Sequence, residues 1–332
     1  MSTDAERQHL ELLFDASRRY YLEQQSQVRI AQELNFSRAT VSRLLAEARE
    51  RGVVKFEVTH PMGGVLGIER ELCEAFGLRQ ARVVDSSNPR SLPGQVARSA
   101  AELIQRTVRK DSVIAVSNGS ALAAVVAELP EKRQRSSDVH VVQMIGALGK
   151  HNPMLDSPEL CRKVAASFGG SYQTMPVPLI LESAELAVAM RRESPIATAL
   201  ALAAHADIAL VGIGATDRHG SGQIFEGWMT PEISAGLWRD GAVGHLVGHH
   251  FDISGKHVDS ALCRRLISVS PDKLAQIKEV IAVAYGQKKV RAILAALRAG
   301  HLSTLITDFG TARAVLDLDR LTPDLDGSPG DQ

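Results

Sequence analysis

At 332 residues the chain is too long for one small domain and suits two or three. Hydrophobic residues make up 45%, charged residues 23%, and the formal net charge is zero; this excludes wholesale disorder and a generally basic chain, so any phosphate-binding surface must be local. Cys73, Cys161 and Cys263 are odd in number, far apart and without a CxxC pair, which argues against a disulfide framework. With a polar N-terminus and no apolar run of membrane-spanning length, the expectation is a cytoplasmic protein with no membrane partner.

In chain order, residues 5–24 read as a helix with Leu10, Leu13, Phe14, Ser17 and Tyr21 on its apolar stripe. Ser26 is a good N-cap for a second helix burying Ile30, Ala31 and Leu34. Asn35-Phe36-Ser37 reads as a tight turn, with Asn35 suited to a left-handed backbone. Ser37 then caps a third helix that buries Val41, Leu44, Leu45 and Ala48 and turns Arg38, Thr40 and Arg43 outward. Such donors, early in a helix, suit base edges and phosphates; an ordinary helical hairpin with a solvated face has the same spacing. Seven arginines (Arg18, Arg19, Arg29, Arg38, Arg43, Arg49, Arg51) crowd this region and outnumber the glutamates between them. Arg51-Gly52 closes the helix, and Val54, Phe56 and Val58 alternate with Lys55 and Glu57 as a half-buried strand, a winged arrangement.

The break at His60-Pro61-Met62-Gly63-Gly64 marks a boundary: a first domain at 1–59, a linker at 60–67, and a second domain at 68–318. The second domain opens with a helix from Ile68 to Phe76. Short β-branched runs then alternate with Ala/Leu-rich helices, and strands are expected near 81–84, 113–116, 139–142, 173–177, 208–211, 280–284 and 304–307. Strands apolar throughout fit a largely parallel sheet covered on both faces, the α/β class. The Asp/Pro/Gly-rich tail at 319–332 is expected to be disordered.

In such sheets ligands bind beyond the carboxyl ends of the strands. Ser117-Asn118-Gly119-Ser120 opens a helix there, and Gly146 to Gly149 and Gly212 to Gly214 are further strand-end glycines. Each also reads as a plain tight turn. No P-loop and no proper GxGxxG is present, so no nucleotide cofactor is expected. His245, His249 and His250 form a HxxxHH run with His257 nearby; on a helix, His245 and His249 would share a face and could bind a metal, but the Glu of HExxH is missing. A solvated or hydrogen-bonded histidine face is expected instead, with no metal site. No catalytic set stands out, so no catalytic residues are named.

Both halves together resemble the SorC/DeoR-type sugar-responsive transcription regulators. The N-terminal similarity runs through Ser26-Gln27, Ile30-Ala31, Ser37-Arg38 and Val41-Ser42-Arg43-Leu44-Leu45. The C-terminal similarity includes Ile114 to Ser117 with Gly119, Gly146 with Leu148-Gly149, Asp207 to Gly214, Phe251-Asp252, Val280 to Ala284, Lys289 and Leu305 to Asp308. The resemblance implies a helix-turn-helix domain joined to a Rossmann-like, sugar-phosphate-isomerase-like effector domain, assembled as a dimer or tetramer. The implied partners are double-stranded operator DNA and a sugar, polyol or sugar phosphate. The implied DNA-contacting set is Gln27, Arg29, Ser37, Arg38, Thr40, Ser42 and Arg43. The implied effector set is Ser117, Asn118, Gly119, Ser120, Gly146, Gly214, Asp252 and Lys289, with Gly119 and Ser120 holding a phosphate or hydroxyl, Asp252 accepting from hydroxyls and Lys289 meeting an anionic or carbonyl group. Relatives often carry Trp at 118 and Thr at 121, where this chain has Asn118 and Ala121, and often a polar or basic residue at the place of Ile145. They usually carry Asp after Gly244, and often Arg further on, where this chain has His245 and His249. Fewer polar anchors weaken the case for a phosphate, and an amide at 118 suits hydroxyls, so an unphosphorylated sugar or polyol stays open. The rival reading is a sugar-phosphate isomerase-like enzyme with an N-terminal helical appendage.

Overall fold

A computed structural model describes residues 4–54, 63–85, 88–130, 138–149, 153–217 and 223–322. The chain divides into two compact units, 1–61 and 62–332.

The first unit is helical: α1 (Asp4–Ser17) continues as a π-helical turn (Arg18–Leu22), followed by α2 (Gln27–Glu33) and α3 (Arg38–Glu50). Ser26 accepts a hydrogen bond from the Arg29 N–H and Ser37 one from the Thr40 N–H, as side-chain caps should. Between the helices, Asn35 takes a φ of 57° while the Phe36 N–H donates to the Ala31 carbonyl at 2.9 Å. This is a Schellman-type stop with Asn in the left-handed position. Leu13, Ala16, Ile30, Ala31, Val41, Leu44, Leu45 and Ala48 form the core. Leu34 packs at its edge, half-buried. The stripe expected on α1 is corrected by the packing: Leu13 and Ser17 are buried, but Leu10 and Phe14 are exposed, because the core is met by the Leu13-Ala16-Ser17 face. The strand expected over Val54, Phe56 and Val58 lies, from residue 55 on, outside the described residues.

The second unit contains α4 (Gly63–Phe76), β1 (Gln80–Val84), α5 (Leu92–Thr107), β2 (Val113–Val116), α6 (Ser120–Glu128), β3 (His140–Gln143), α7 (Ser157–Phe168), β4 (Ser171–Gln173), α8 (Ala184–Met190) and α9 (Ser194–Ala204). It continues with β5 (Ile208–Ala215), α10 (Pro231–Arg239), β6 (Ala242–Leu246), β7 (His249–Asp252), α11 (Ala261–Arg264), α12 (Pro271–Leu274), β8 (Glu279–Val283), α13 (Val290–Arg298), β9 (Thr304–Asp308) and α14 (Phe309–Leu321). The main sheet runs β1-β9-β8-β5-β2-β3-β4 with parallel pairing throughout. Alternate residues of one strand face opposite layers: Ile208 and Leu210 join the cluster with α5, α6 and α7, while Ala209 and Val211 join that with α4, α9, α13 and α14.

Several boundaries differ from those read off the sequence. α4 begins at Gly63, inside the expected linker at 60–67. The segment 319–322 belongs to the fold, because Arg298 donates to Asp319 Oδ1 (2.9 Å) and to the Thr322 carbonyl (2.6 Å). α5, α10 and the β6–β7 hairpin are additional elements.

Strand order places the site. From β2 the chain steps outward to β3 and β4, then returns to β5 on the other side of β2. β2 and β5 therefore flank the point where the winding reverses, and a crevice opens beyond their carboxyl ends. β5 also outruns its neighbours: Ile208–Gly212 pairs with β8, while Ile213, Gly214 and Ala215 pair antiparallel with β6.

Candidate functional site

The crevice between β2 and β5 is a cavity of about 750 Å³. One wall is Ser117, Asn118, Gly119 and the start of α6 at Ser120 and Ala121; the floor is Gly212 to Ala215 of β5. His245, Val247 and Gly248 come from the β6–β7 hairpin, Lys288 and Lys289 from the turn before α13, with Asp217 and Ile224 at the rim.

The polar groups are unevenly satisfied. Asn118 is 6% exposed, and its Nδ2 has no hydrogen-bond partner among the described residues. A buried amide left so costs about 1–3 kcal/mol unless something else meets it. The Gly119 N–H is already committed to the Leu155 carbonyl at 3.0 Å. Gly119 has a φ of 111° and gives α6 no side-chain cap, so the next N–H groups of the helix, at the cavity wall, have neither an intrahelical carbonyl nor a capping oxygen. Lys289 is half-buried, makes no ion pair with any described residue, and burial holds its ammonium below the usual lysine range.

Lys289 is placed from behind by a buried acid. The Gly286 N–H donates to Asp308 Oδ2 (2.9 Å) and to Thr311 Oγ1 (2.8 Å), and Asp308 Oδ1 accepts from the Thr311 N–H as the cap of α14. This fixes the turn at Gly286 from which Lys288 and Lys289 enter the cavity.

Of the effector residues expected from the sequence, the fold brings together Ser117, Asn118, Gly119, Ser120, Gly214 and Lys289, and leaves out Gly146 and Asp252. Gly146 is a close-packing residue: a Cβ there would lie 2.6 Å from the Pro178 carbonyl oxygen. Its loop is tied down by Asp156, which accepts from the Leu148 and Gly149 N–H groups. Asp252 is spent on its own turn, with Oδ1 accepting from the Ser254 N–H (2.9 Å), Ser254 Oγ (2.6 Å) and the Lys256 N–H (3.0 Å). That makes it an Asx-type turn residue, and it does not line the described cavity.

The histidine run is also corrected. It lies on a hairpin, not a helix: His245 on β6 pairs with His250 on β7, and His249 pairs with Leu246. His245 and His249 therefore do not share a helical face. His245 lines the cavity, a role its sequence position did not suggest, and its ring packs edge-on against Phe225. The pairing of Gly214 with His245 was the missing signal; it requires knowing that β5 extends past the sheet. Val247 and Gly248 of the same hairpin were missed for that reason, while Lys288 was missed although it adjoins Lys289 in the turn before α13.

In the first unit, the residues expected to contact DNA divide by what they already touch. Ser37 and Thr40 join their hydroxyls at 2.8 Å in the cap of α3. Gln27 is half-buried at the start of α2, and Ser42 is exposed on α3. Of the seven clustered arginines, Arg18 pairs with Asp15 and Glu23, Arg19 with Asp15 and Glu33, Arg29 with Glu33, and Arg51 with Glu47. Arg49 donates to the Leu45 carbonyl of its own helix. Arg38 and Arg43, both exposed on α3, make no ion pair with any described residue. The arginines of this cluster that no described acid or carbonyl engages are thus both on α3.

Comparison with known proteins agrees with this arrangement. A family model for a sugar-binding domain (Sugar-bind) matches residues 60–317. The chain is 31% identical over 301 residues to the transcriptional regulator LsrR of Klebsiella pneumoniae, covering 90% of each. It is 31% identical over 316 residues to the deoxyribonucleoside regulator of Bacillus subtilis, covering 95% of this chain and 99% of that one. The full-length sorbitol operon regulator SorC of Klebsiella pneumoniae superposes with a TM-score of 0.74 at 28% identity, covering 92% of this chain and 99% of that chain. The parallel α/β unit, its strand-end cavity and similarity along nearly the whole length agree: the chain belongs to the SorC/DeoR-type family of sugar-binding transcriptional regulators.

Proposed function

We propose that the protein is a one-component regulator whose first unit reads operator DNA through a helix-turn-helix and whose β2/β5 cavity binds a sugar or polyol carrying one phosphate. The observation that carries this reading is the cavity itself. Among the described residues it holds a buried amide with no partner at Asn118 and two lysines against one aspartate, Asp217. Asn118 and Asp217 suit hydroxyls, while Lys289 and the uncapped start of α6 suit an anion. The additional lysine, Lys288, restores the positive balance that the residues at 118, 121 and 145 lack, and for that reason the phosphorylated form is favoured. At the other unit, α3 would enter the major groove with Arg38 and Arg43 foremost, and pairing of subunits would set half-site spacing. The effector acts by binding DNA-competent and DNA-incompetent states unequally.

The test is a duplex selected by the protein from a randomised pool, titrated by fluorescence anisotropy with and without a panel of sugars, polyols and their phosphates, with thermal shift in parallel. One phosphorylated member is expected to shift both melting temperature and DNA affinity. A response confined to unphosphorylated members would overturn the phosphate. Turnover of any member without an effect on DNA binding would favour the isomerase-like reading.

A further inference from the structure

Behind the cavity wall, the segment 249–263 folds back on itself and gathers two imidazoles and a thiol that the effector site does not use. One ring nitrogen each of His249 and His257 and the Cys263 Sγ all lie within 4.8 Å of one another. We propose that His249, His257 and Cys263 form a binding site for a zinc-type divalent cation, with solvent in the fourth position.

The geometry supports convergence on one point. His249 Nδ1 and His257 Nε2 are 3.3 Å apart. With Zn–N bonds of about 2.0–2.1 Å and a Zn–S bond of about 2.3 Å, tetrahedral ligand atoms stand about 3.3–3.6 Å from each other. The two nitrogens are already at that spacing, and the sulfur, within 4.8 Å of both, has to close the remaining gap. Each ligand is held by separate backbone: His249 lies in β7, His257 is bridged to Phe251 where the chain turns back, and Cys263 sits in α11 with its N–H donated to Ser260 Oγ. His249 also has an outer partner of the kind metal-bound histidines carry, because its Nε2 lies 3.1 Å from the Ser268 hydroxyl, leaving Nδ1 turned inward. His257 is partly exposed, which gives an ion a way in. One thiolate and two imidazoles select zinc over magnesium or calcium, whose ligands are oxygens.

Without metal, the two histidines can share one N–H···N bond and the thiol can donate to the Val258 carbonyl, 3.4 Å away. Binding would exchange these for three coordinate bonds and release the thiol proton to solvent. Its consequence reaches the cavity: His250 Nδ1 lies 3.8 Å from Cys263 Sγ, and the His250 ring contacts that of His245, which lines the cavity. Metal would tie the hairpin carrying His245, Val247 and Gly248 to α11.

The test uses the untagged full-length protein, stripped with EDTA and dialysed against zinc chloride, with metal counted by mass spectrometry. One zinc per chain and a melting temperature raised by zinc and returned by EDTA are expected. Cobalt substitution should give a thiolate-to-metal charge-transfer band that Cys263→Ser abolishes. His257→Asn, at the open edge where folding is least at risk, should weaken zinc binding by more than about tenfold, since loss of even an outer-shell partner costs that much. Substoichiometric zinc in the wild-type chain would overturn the proposal. Equal zinc in Cys263→Ser and His257→Asn would also overturn it, by showing that the metal sits elsewhere.

Discussion

Gly214 and His245 face each other across the β5–β6 pairing, and the His245 ring occupies the space where a side chain at 214 would begin. A Cβ on Gly214 would stand 2.7 Å from His245 Cδ2 and closer still to Nε2 and Cε1. The glycine is therefore what lets an imidazole lie flat on the cavity floor.

Gly214→Ala should accordingly destabilise the second unit by about 1–3 kcal/mol, the usual cost of overpacking. The measurement is urea unfolding. Adding His245→Ala should recover most of that loss in a double-mutant cycle, because the two residues are in direct contact. Strict additivity would mean that the ring and the glycine do not compete for the same space.

Arg38 and Arg43 are the arginines of the first unit that no described carboxylate or carbonyl engages. Arg43→Ala is expected to cost about 1–3 kcal/mol of operator affinity if the side chain reads a base, and to lower the salt slope by about 1 if it meets a phosphate. Arg29→Ala should change less, since Arg29 is held by Glu33 at 2.9 Å. Anisotropy titrations over a salt series separate these outcomes, and unchanged binding in Arg43→Ala would remove α3 as the reader.

Burial lowers the Lys289 pKa, so the folded chain gives up this proton before the unfolded chain does. Between the two values the unfolded state holds more protons, and the contribution of Lys289 to stability rises with pH across that window. A phosphate ligand has the opposite preference, for the ammonium. Affinity for a phosphorylated effector should be full below the lowered pKa and fall, by up to about tenfold per pH unit, above it. Calorimetric titration across neutral to alkaline pH would show this, and Lys289→Met should weaken binding about 10- to 100-fold and flatten the profile.

Asp252 gives a contrasting expectation. Three donors within its own turn occupy Oδ1. Asp252→Ala should cost about 1–2 kcal/mol of stability while leaving the effector-induced thermal shift in place. A variant of unchanged stability that no longer responds to effector would put Asp252 back in the site.

The first unit was legible in the sequence because its signals are local. Ser26 and Ser37 cap, Asn35 turns left-handed, and Val41, Leu44, Leu45 and Ala48 fall on one face through helical spacing alone. The central strands of the parallel sheet were legible too, since burial on both faces makes them apolar, and Ser117 to Ser120 follow one of them directly; the edge strand β4 (Ser171–Gln173), expected at 173–177, was not, because it is polar and lacks burial on both faces. The tertiary structure decided what depends on pairing between distant segments. It matched Arg18, Arg19 and Arg29 with acids and left Arg38 and Arg43 without one. It set Gly214 against His245, because β5 runs past its neighbours into an antiparallel hairpin. It put Asp252 in its own turn and Gly146 against the Pro178 carbonyl, outside the lining of the β2/β5 cavity. Helical period and capping involve neighbours a few positions apart, whereas register between strands is a long-range property, and only the folded chain states it.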